Sequence, residues 1–260
     1  MNRTSTSKEF ALNVLVVDVG GTSVKILATG QVEPRRFPSG PTLTPKQMVA
    51  RVKKLAKNWK YDVVSVGYPG VVLHGRIATE PRNLGKGWVG FDFEAAFGRP
   101  LKMINDAAMQ ALGSYRGDTM LFFGLGTGLG TALVVDGTVV PLELGHLAIR
   151  KKTFEDDLGA RGLERLGLKK WQRRVEEVTQ RFVSALNLDE VVFGGGNAKK
   201  LTRLPKGCRM GDNANAFLGG FRLWEEGGGR QLLARSKPRH DRKKAKKGRA
   251  SRVSSNRSNT

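Results

Sequence analysis

A glycine turn set between two strand-forming runs occurs twice in this sequence, and the doubled pattern constrains the fold more than any other feature. The first is Val14–Val19, then Gly20-Gly21-Thr22, then Val24–Ala28; the second is Met120–Leu125 entering Gly124–Gly130, with Thr131–Val135 after it. β-Branched and aromatic residues at this density favour strands, and glycines at the break predict an antiparallel hairpin in each place. After each hairpin, strands and helices alternate. In the first half the spacing predicts a third strand over Val32–Phe37 and a helix over Pro45–Asn58, with Met48, Val49, Val52, Leu55 and Ala56 on one face. A buried strand over Val63–Val66, a loop-rich stretch to Gly90, a short helix over Phe91–Phe97 and a strand over Leu101–Ile104 follow. In the second half a helix is expected over Asp106–Tyr115, and a strand over Val139–Leu142 that turns at Asp136-Gly137. A long amphipathic helix runs through Leu168, Trp171, Val175, Val178, Phe182 and Leu186. A strand over Val191–Phe193 and a last helix over Ala214–Trp224 complete it. Two hairpin-then-α/β halves suggest a duplicated fold, although the halves share no literal repeat.

Charge narrows the partners. The chain has 45 Lys and Arg against 23 Asp and Glu, a formal net charge of +22. Much of the excess lies in 236–260, where Lys and Arg recur among Ser, Asn and Gly with almost no apolar residue, so this stretch reads as a disordered basic tail. The remainder is basic as well, which favours phosphates, polyanions or nucleic acid. No apolar stretch approaches the roughly 18–20 residues that span a bilayer, so no membrane partner is expected. The opening MNRTSTSKEF lacks an apolar signal core, and a cytoplasmic location is expected. Cys208 alone excludes a disulfide framework within the chain and a multi-cysteine zinc site, while His74, His146 and His240 are scattered.

Five short segments carry candidate chemistry. Asp18 closes a buried strand just before Gly20, Gly21, Thr22 and Lys25. A buried acid is costly unless it serves a cation or hydrogen bonds, and backbone N–H groups of such a turn can close on a phosphate. A hairpin whose Asp18 caps the turn is an equal reading. Gly126, Thr127 and Gly128 sit in a second glycine turn that is neither a P-loop nor a dinucleotide fingerprint; a flexible hairpin is its alternative. Asn105-Asp106 falls at a strand-to-helix junction, where Asp106 is either a general base or part of a helix cap. Glu143 and His146, three apart beside a glycine, can face one polar ligand or be structural. Gly194-Gly195-Gly196-Asn197 ends a strand, and serves either a nucleotide's base or ribose or a sharp turn.

In order and spacing these segments resemble the sugar kinases of the ROK family, within the actin/hexokinase superfamily. The resemblance runs from Val14 to Trp224 and implies an α/β, two-domain actin-like ATPase (ribonuclease H-like) fold with a cleft between the domains. It implies an N-terminal domain over 1–104, rejoined by the helix at 214–226, and a C-terminal domain over 105–213. Asp18–Lys25 looks like the first phosphate motif, Gly124–Thr131 like the second, and Gly194–Gly196 like the adenosine motif. Asn105 and Asp106 match the sugar-binding Asn and the catalytic Asp. Asn83, with Leu84 and nearby Trp88, resembles the sugar loop, and Glu143 and His146 match the Glu-x-Gly-His sugar contacts. The segment after His146 lacks the cysteines of the family's zinc motif, so no zinc is expected. That departure is shared by polyphosphate glucokinases, and Glu155 is expected to replace the sugar-contacting Glu of the zinc segment. The lead before the first strand is too short for a helix-turn-helix, which removes the family's repressor branch. The implied activity is transfer of a phosphoryl group from polyphosphate or ATP to the 6-hydroxyl of glucose, in a homodimer, with Asp106 as base and Mg²⁺ held by Asp18. The tail is expected to touch polyanions. Two other classes stand beside this one: a basic nucleic-acid-binding protein, and a ROK-like protein that binds sugar without phosphorylating it.

Overall fold

The computed structural model describes residues 12–149, 151–212 and 214–225, so the expected basic tail over 236–260 lies outside the described residues. Strand β1 (Val14–Val19) is buried along its whole length. Its side chains part by parity: Leu15, Val17 and Val19 enter one core, Val14 and Val16 another. A strand covered on both faces must lie inside a sheet with layers on either side. β1 pairs antiparallel with β2 (Ser23–Ala28), which carries β3 (Arg35–Pro38) on its outer edge. On the other side it pairs parallel with β4 (Val63–Tyr68). A small ribbon, β5 (Val72–Leu73) with β6 (Arg76–Ile77), precedes β7 (Leu101–Asn105), which lies parallel beside β4.

The second half repeats this plan. In β8 (Met120–Leu125), Leu121, Phe123 and Leu125 enter one core while Met120 and Phe122 enter the one that β1 shares. β9 (Leu129–Val135) and β10 (Thr138–Leu142) extend it antiparallel. After the ribbon of β11 (Ala148–Ile149) and β12 (Lys152–Thr153), β13 (Glu190–Gly194) and β14 (Cys208–Met210) extend β8 on the parallel side. The two sheets therefore have matching order and sense, β3-β2-β1-β4-β7 and β10-β9-β8-β13-β14. The duplication expected from the sequence exists as topology.

Helices fill three layers around these sheets. α1 (Pro45–Leu55) and α2 (Phe93–Phe97) cover the outer face of the first. α4 (Phe154–Leu158), α5 (Ala160–Leu166) and α6 (Leu168–Leu186) cover the outer face of the second. Between the sheets lie α3 (Asp106–Ser114) and α7 (Asn215–Arg222), whose Ala108, Leu112 and Phe217 pack with Val16 of one sheet and Phe122 of the other. Local chemistry sets the ends. Thr44 and Gln47 form a capping box on α1, with Pro45 at its first position. Asp136 and Gly137 both have positive φ, 48° and 72°, as a two-residue hairpin turn of mirror type requires.

Two boundaries fall three residues from the sequence reading, and others shift by one or two. The third strand starts at Arg35, because Val32 is 92% exposed and sits outside the sheet. α1 stops at Leu55, where the chain turns to bring Trp59 into the core. The short elements α4, α5 and β14 were not foreseen from periodicity.

Ser65 ties α7 to the first sheet. Its fully buried hydroxyl donates to the Gly220 carbonyl at 2.6 Å and accepts from Trp224 Nε1 at 2.9 Å. Ser65→Ala leaves both partners unsatisfied and should cost about 1–3 kcal/mol, read as a lower denaturation midpoint with an unchanged slope.

Candidate active site

Three parallel strands end at one level: Asp18 of β1 stands opposite Gly67 of β4, and Gly67 opposite Ile104 of β7. The carboxyl ends of parallel strands are where open α/β sheets receive ligands. Asp18 is 7% exposed there, and its register partner Lys25 places Nζ 3.3 Å from Oδ2. Burial raises the Asp18 carboxyl above its ordinary range, against the pull of Lys25. The turn after Asp18 is tight, with Gly20 N–H donating to Ser23 O at 3.0 Å. Ser39 pins it from β3's end, its hydroxyl donating to Gly20 O at 2.7 Å and its N–H to Thr22 O at 3.1 Å. Asn83 stands against this turn; a Cβ on Gly21 would lie 3.5 Å from its own.

Asn105 caps α3, accepting from Ala108 N–H at 3.1 Å and donating to Gly70 O at 3.1 Å. Asp106 is thereby the first residue of the helix, its Oδ1 accepting from Ala107 N–H at 2.8 Å. Two glycines let this end of α3 sit against both sheets. A Cβ on Gly67 would be 3.6 Å from Asp106 Cα, and one on Gly130 would be 2.9 Å from Ala107 Cβ. Burial first, then repulsion from Asp18 and from Glu143, pushes the Asp106 carboxyl up to about 7. A carboxylate tuned to that range is suited to taking a proton near neutral pH.

The second sheet supplies the facing wall. Gly126–Gly128 is the β8–β9 turn, closed by Gly126 N–H to Gly128 O at 3.1 Å. Gly194 and Gly195 reach it from the end of β13, where Gly195 has φ +82° and no room for a Cβ beside Leu125 O. Asn197 fastens the two stretches, donating from N–H to Leu125 O at 2.9 Å and from Nδ2 to Gly126 O at 3.0 Å. Glu155 of α4 lies over Gly128 and accepts from Leu129 N–H at 3.2 Å. Its other oxygen pairs at 3.2 Å with Arg82, which comes from the loop of Asn83 in the first half. Gly145, between Glu143 and His146, packs on Glu155, a Cβ there standing 3.5 Å from the Glu155 Cβ, and Glu143 Oε2 lies 3.7 Å from His146 Nδ1. Burial raises Glu143, His146 and Arg82 lower it, and Glu155 raises it further.

The segments singled out in the sequence thus meet around one cleft. Lys25 is turned to Asp18, and both ends of the Asn105 amide are engaged in holding the chain. Trp88 does not face the cleft: it is fully buried, 5.6 Å from the Tyr68 ring. Sequence reading missed Arg82, whose partner is 73 residues away and leaves no local signal. Among the described residues no three His, Cys, Asp or Glu side chains gather as a metal cage. Mg²⁺ fits the site differently, since it is commonly held by one or two carboxylates together with substrate phosphates, and Asp18 is such a carboxylate. No helix among the described residues is long and apolar enough to cross a membrane.

A model of the ROK family matches residues 14–161. The polyphosphate glucokinase of Mycobacterium tuberculosis (strain ATCC 25618 / H37Rv) is 30% identical over 210 residues, covering 71% of this chain and 77% of that protein. Of solved structures, the inorganic polyphosphate/ATP-glucomannokinase from Arthrobacter sp. strain KM matches with TM-score 0.69 at 25% identity, covering 81% of this chain and 97% of its own. A ROK family glucokinase from Streptomyces griseus, solved with glucose and AMPPNP, matches with TM-score 0.66 at 15% identity, covering 81% of this chain and 98% of its own. With the matching strand orders, these likenesses give the actin-like ATPase fold that the sequence led us to expect.

Proposed function

The chain belongs to the ROK family, and from that premise we propose that it is a hexose kinase transferring a phosphoryl group from polyphosphate or ATP to the 6-hydroxyl of glucose. The observation that carries the reading is Asp106, an acid pushed to about 7 at a helix start between two glycine turns. Asp106 accepts the proton of the attacking hydroxyl. Asn83, Asn105, Glu143, His146 and Glu155 hold the sugar's other hydroxyls, so that attack is unimolecular and aligned. Backbone N–H groups of Gly21–Thr22 and Thr127–Gly128, in turns that Gly20 and Gly126 close and with Gly194 and Gly195 beside them, hold the donor phosphates. Asp18 would hold Mg²⁺, which would supply neutralisation of the donor's charge. Arg82 bridging to Glu155 joins the two walls, and closure on that pair excludes water from the reacting phosphoryl.

Polyphosphate as a donor is supported by the names of the relatives and by the net charge of +22. The test is glucose 6-phosphate formation with Mg²⁺ and either purified polyphosphate or ATP as sole donor, at matched phosphoryl concentration. Faster turnover with polyphosphate is expected. ATP alone working would restrict the enzyme to nucleotide, and no product with either donor would overturn glucose as the acceptor.

A further inference from the structure

Basic side chains line three surface cavities, and in two of them ion pairs with acids answer part of the charge. Beside α6, in a cavity of about 680 Å³, Arg165 and Arg174 bind Asp157 at 2.7 and 3.3 Å, and Arg181 binds Glu177 at 2.9 Å. In the one of about 460 Å³, Arg203 binds Glu176 at 3.3 Å. The third, of about 700 Å³, gathers Lys53, Lys57, Lys60 and Arg99 around a floor that includes Trp59. Its one acid, Asp62, accepts from both N–H and Nδ2 of Asn13 at 3.0 Å, and these bonds, with a smaller attraction from Arg99, hold its carboxyl low. Lys53 has an ordinary explanation, since it lies in the last turn of α1 and its Nζ donates to Ala96 O at 2.8 Å. Lys57, Lys60 and Arg99 lie beyond that helix, are exposed, and make no ion pair among the described residues. Among the described residues Lys57 and Lys60 have no counter-charge and Arg99 only the longer-range attraction of Asp62, so these cations repel one another about a concavity, and an anion placed there relieves the repulsion.

The aromatic floor selects the kind of anion. Trp59 is 8% exposed, and the Arg35 guanidinium lies 4.2 Å from its ring centre. No free ring face remains for a base to stack on, and stacking is what single-stranded nucleic acid needs from such a groove. The place is also informative. Asp62 on the rim directly precedes β4, whose far end at Gly67 backs Asp106, so the cavity and the cleft are separated by about the 17 Å of one strand.

We propose that this cavity is a second binding site for inorganic polyphosphate, holding a stretch of the chain remote from the phosphoryl group at Asp106. The inference rests on polyphosphate being the donor. Two-point attachment turns rebinding of a long chain into an intramolecular event and raises its effective concentration at the cleft, whereas a short chain gains nothing.

The test is the triple variant Lys57→Gln, Lys60→Gln, Arg99→Gln, compared with Lys169→Gln, Lys170→Gln, Arg173→Gln on α6, which removes equal charge elsewhere. For the first variant KM for long-chain polyphosphate should rise about tenfold, while kcat, and KM for triphosphate and ATP, stay unchanged. The α6 variant should show no chain-length dependence. Binding of long-chain polyphosphate to the same variants carrying Asp106→Asn reads the site without turnover. There the first variant should bind more weakly and with a shallower salt dependence. Equal losses in both triple variants, or equal losses for long and short chains, would overturn the proposal. Polyuridylate displacing polyphosphate from the cavity would overturn the choice of ligand. Weakened binding in the first variant with no turnover of polyphosphate by the unmodified enzyme would instead remove the donor reading and leave the site.

Discussion

Asp106→Asn is expected to lower kcat by about 10²- to 10⁴-fold while leaving sugar binding within a few-fold of its original strength. The range is what a positioned general base contributes. Asn fits the same space, and its carbonyl oxygen can still accept from Ala107 N–H, a bond of 2.8 Å in the parent. The change also predicts a gain in stability whose size depends on pH. Asp106 sits at about 7 in the fold against an ordinary 3.8. Below about pH 4 it is protonated folded or unfolded, and its environment costs nothing by this route. As pH rises from there through 7 the unfolded chain ionises first, so the folded state loses stability across that window. Asn removes the loss. The variant should therefore melt higher than its parent at pH 8 and at the same temperature near pH 4, in the absence of donor. In the parent, kcat/KM should climb with pH as Asp106 gives up its proton near 7. A variant that melts lower at both pH values, or that keeps its turnover, would remove Asp106 from the role of base.

How much of this was legible follows from how local each signal is. β1 and β8 were readable because a strand buried on both faces is a near-continuous apolar run, broken in β1 only by Asp18, and α6 because nineteen residues hold the helical period for five turns. The Asp136-Gly137 hairpin was readable because only a few residue types accept its backbone angles. α4 is five residues long, too few to establish a period, although Thr153 and Asp156 form a capping box that announces its start. Asn105 and Asp106 were readable as a junction whose chemistry stayed open. What raises Asp106 is burial first and then repulsion from Asp18 and Glu143, on segments far from it in the chain, and the pairing of Arg82 with Glu155 is likewise invisible until the halves meet. Trp88 lies close to Asn83 in sequence yet points into the core, because the Glu80 carboxylate gathers the N–H groups of Gly87, Trp88 and Val89 and fixes the loop the other way.

The glycines where α3 crosses α7 give the other large expected effect. A Cβ on Gly219 would stand 1.8 Å from Met109 O, and one on Gly113 would stand 1.8 Å from Asn215 O. Overpacking costs about 1–3 kcal/mol when side chains can shift aside. Here the obstacle is the backbone of the opposite helix, so the two helices must separate, and Gly219→Ala should cost about 3 kcal/mol or more. The position is not hinge-like or polar, and nothing in the sequence marks it apart from the glycines themselves. Its consequence nevertheless reaches the chemistry. α3 carries Asp106 at its first position and packs there against Gly67 and Gly130, close enough that a Cβ would stand 3.6 Å from Asp106 Cα at one and 2.9 Å from Ala107 Cβ at the other. Moving α3 away from α7 therefore shifts Asp106 against both glycine turns, and kcat should fall even at temperatures where the variant remains folded. Leu218→Ala on the same helix is the control: Leu218 is 41% exposed, and its loss should change stability by no more than about 0.5 kcal/mol and leave kcat alone. If Gly219→Ala matches Leu218→Ala in both readouts, the crossing is looser than these contacts require, and the layer between the sheets does not hold Asp106 in place.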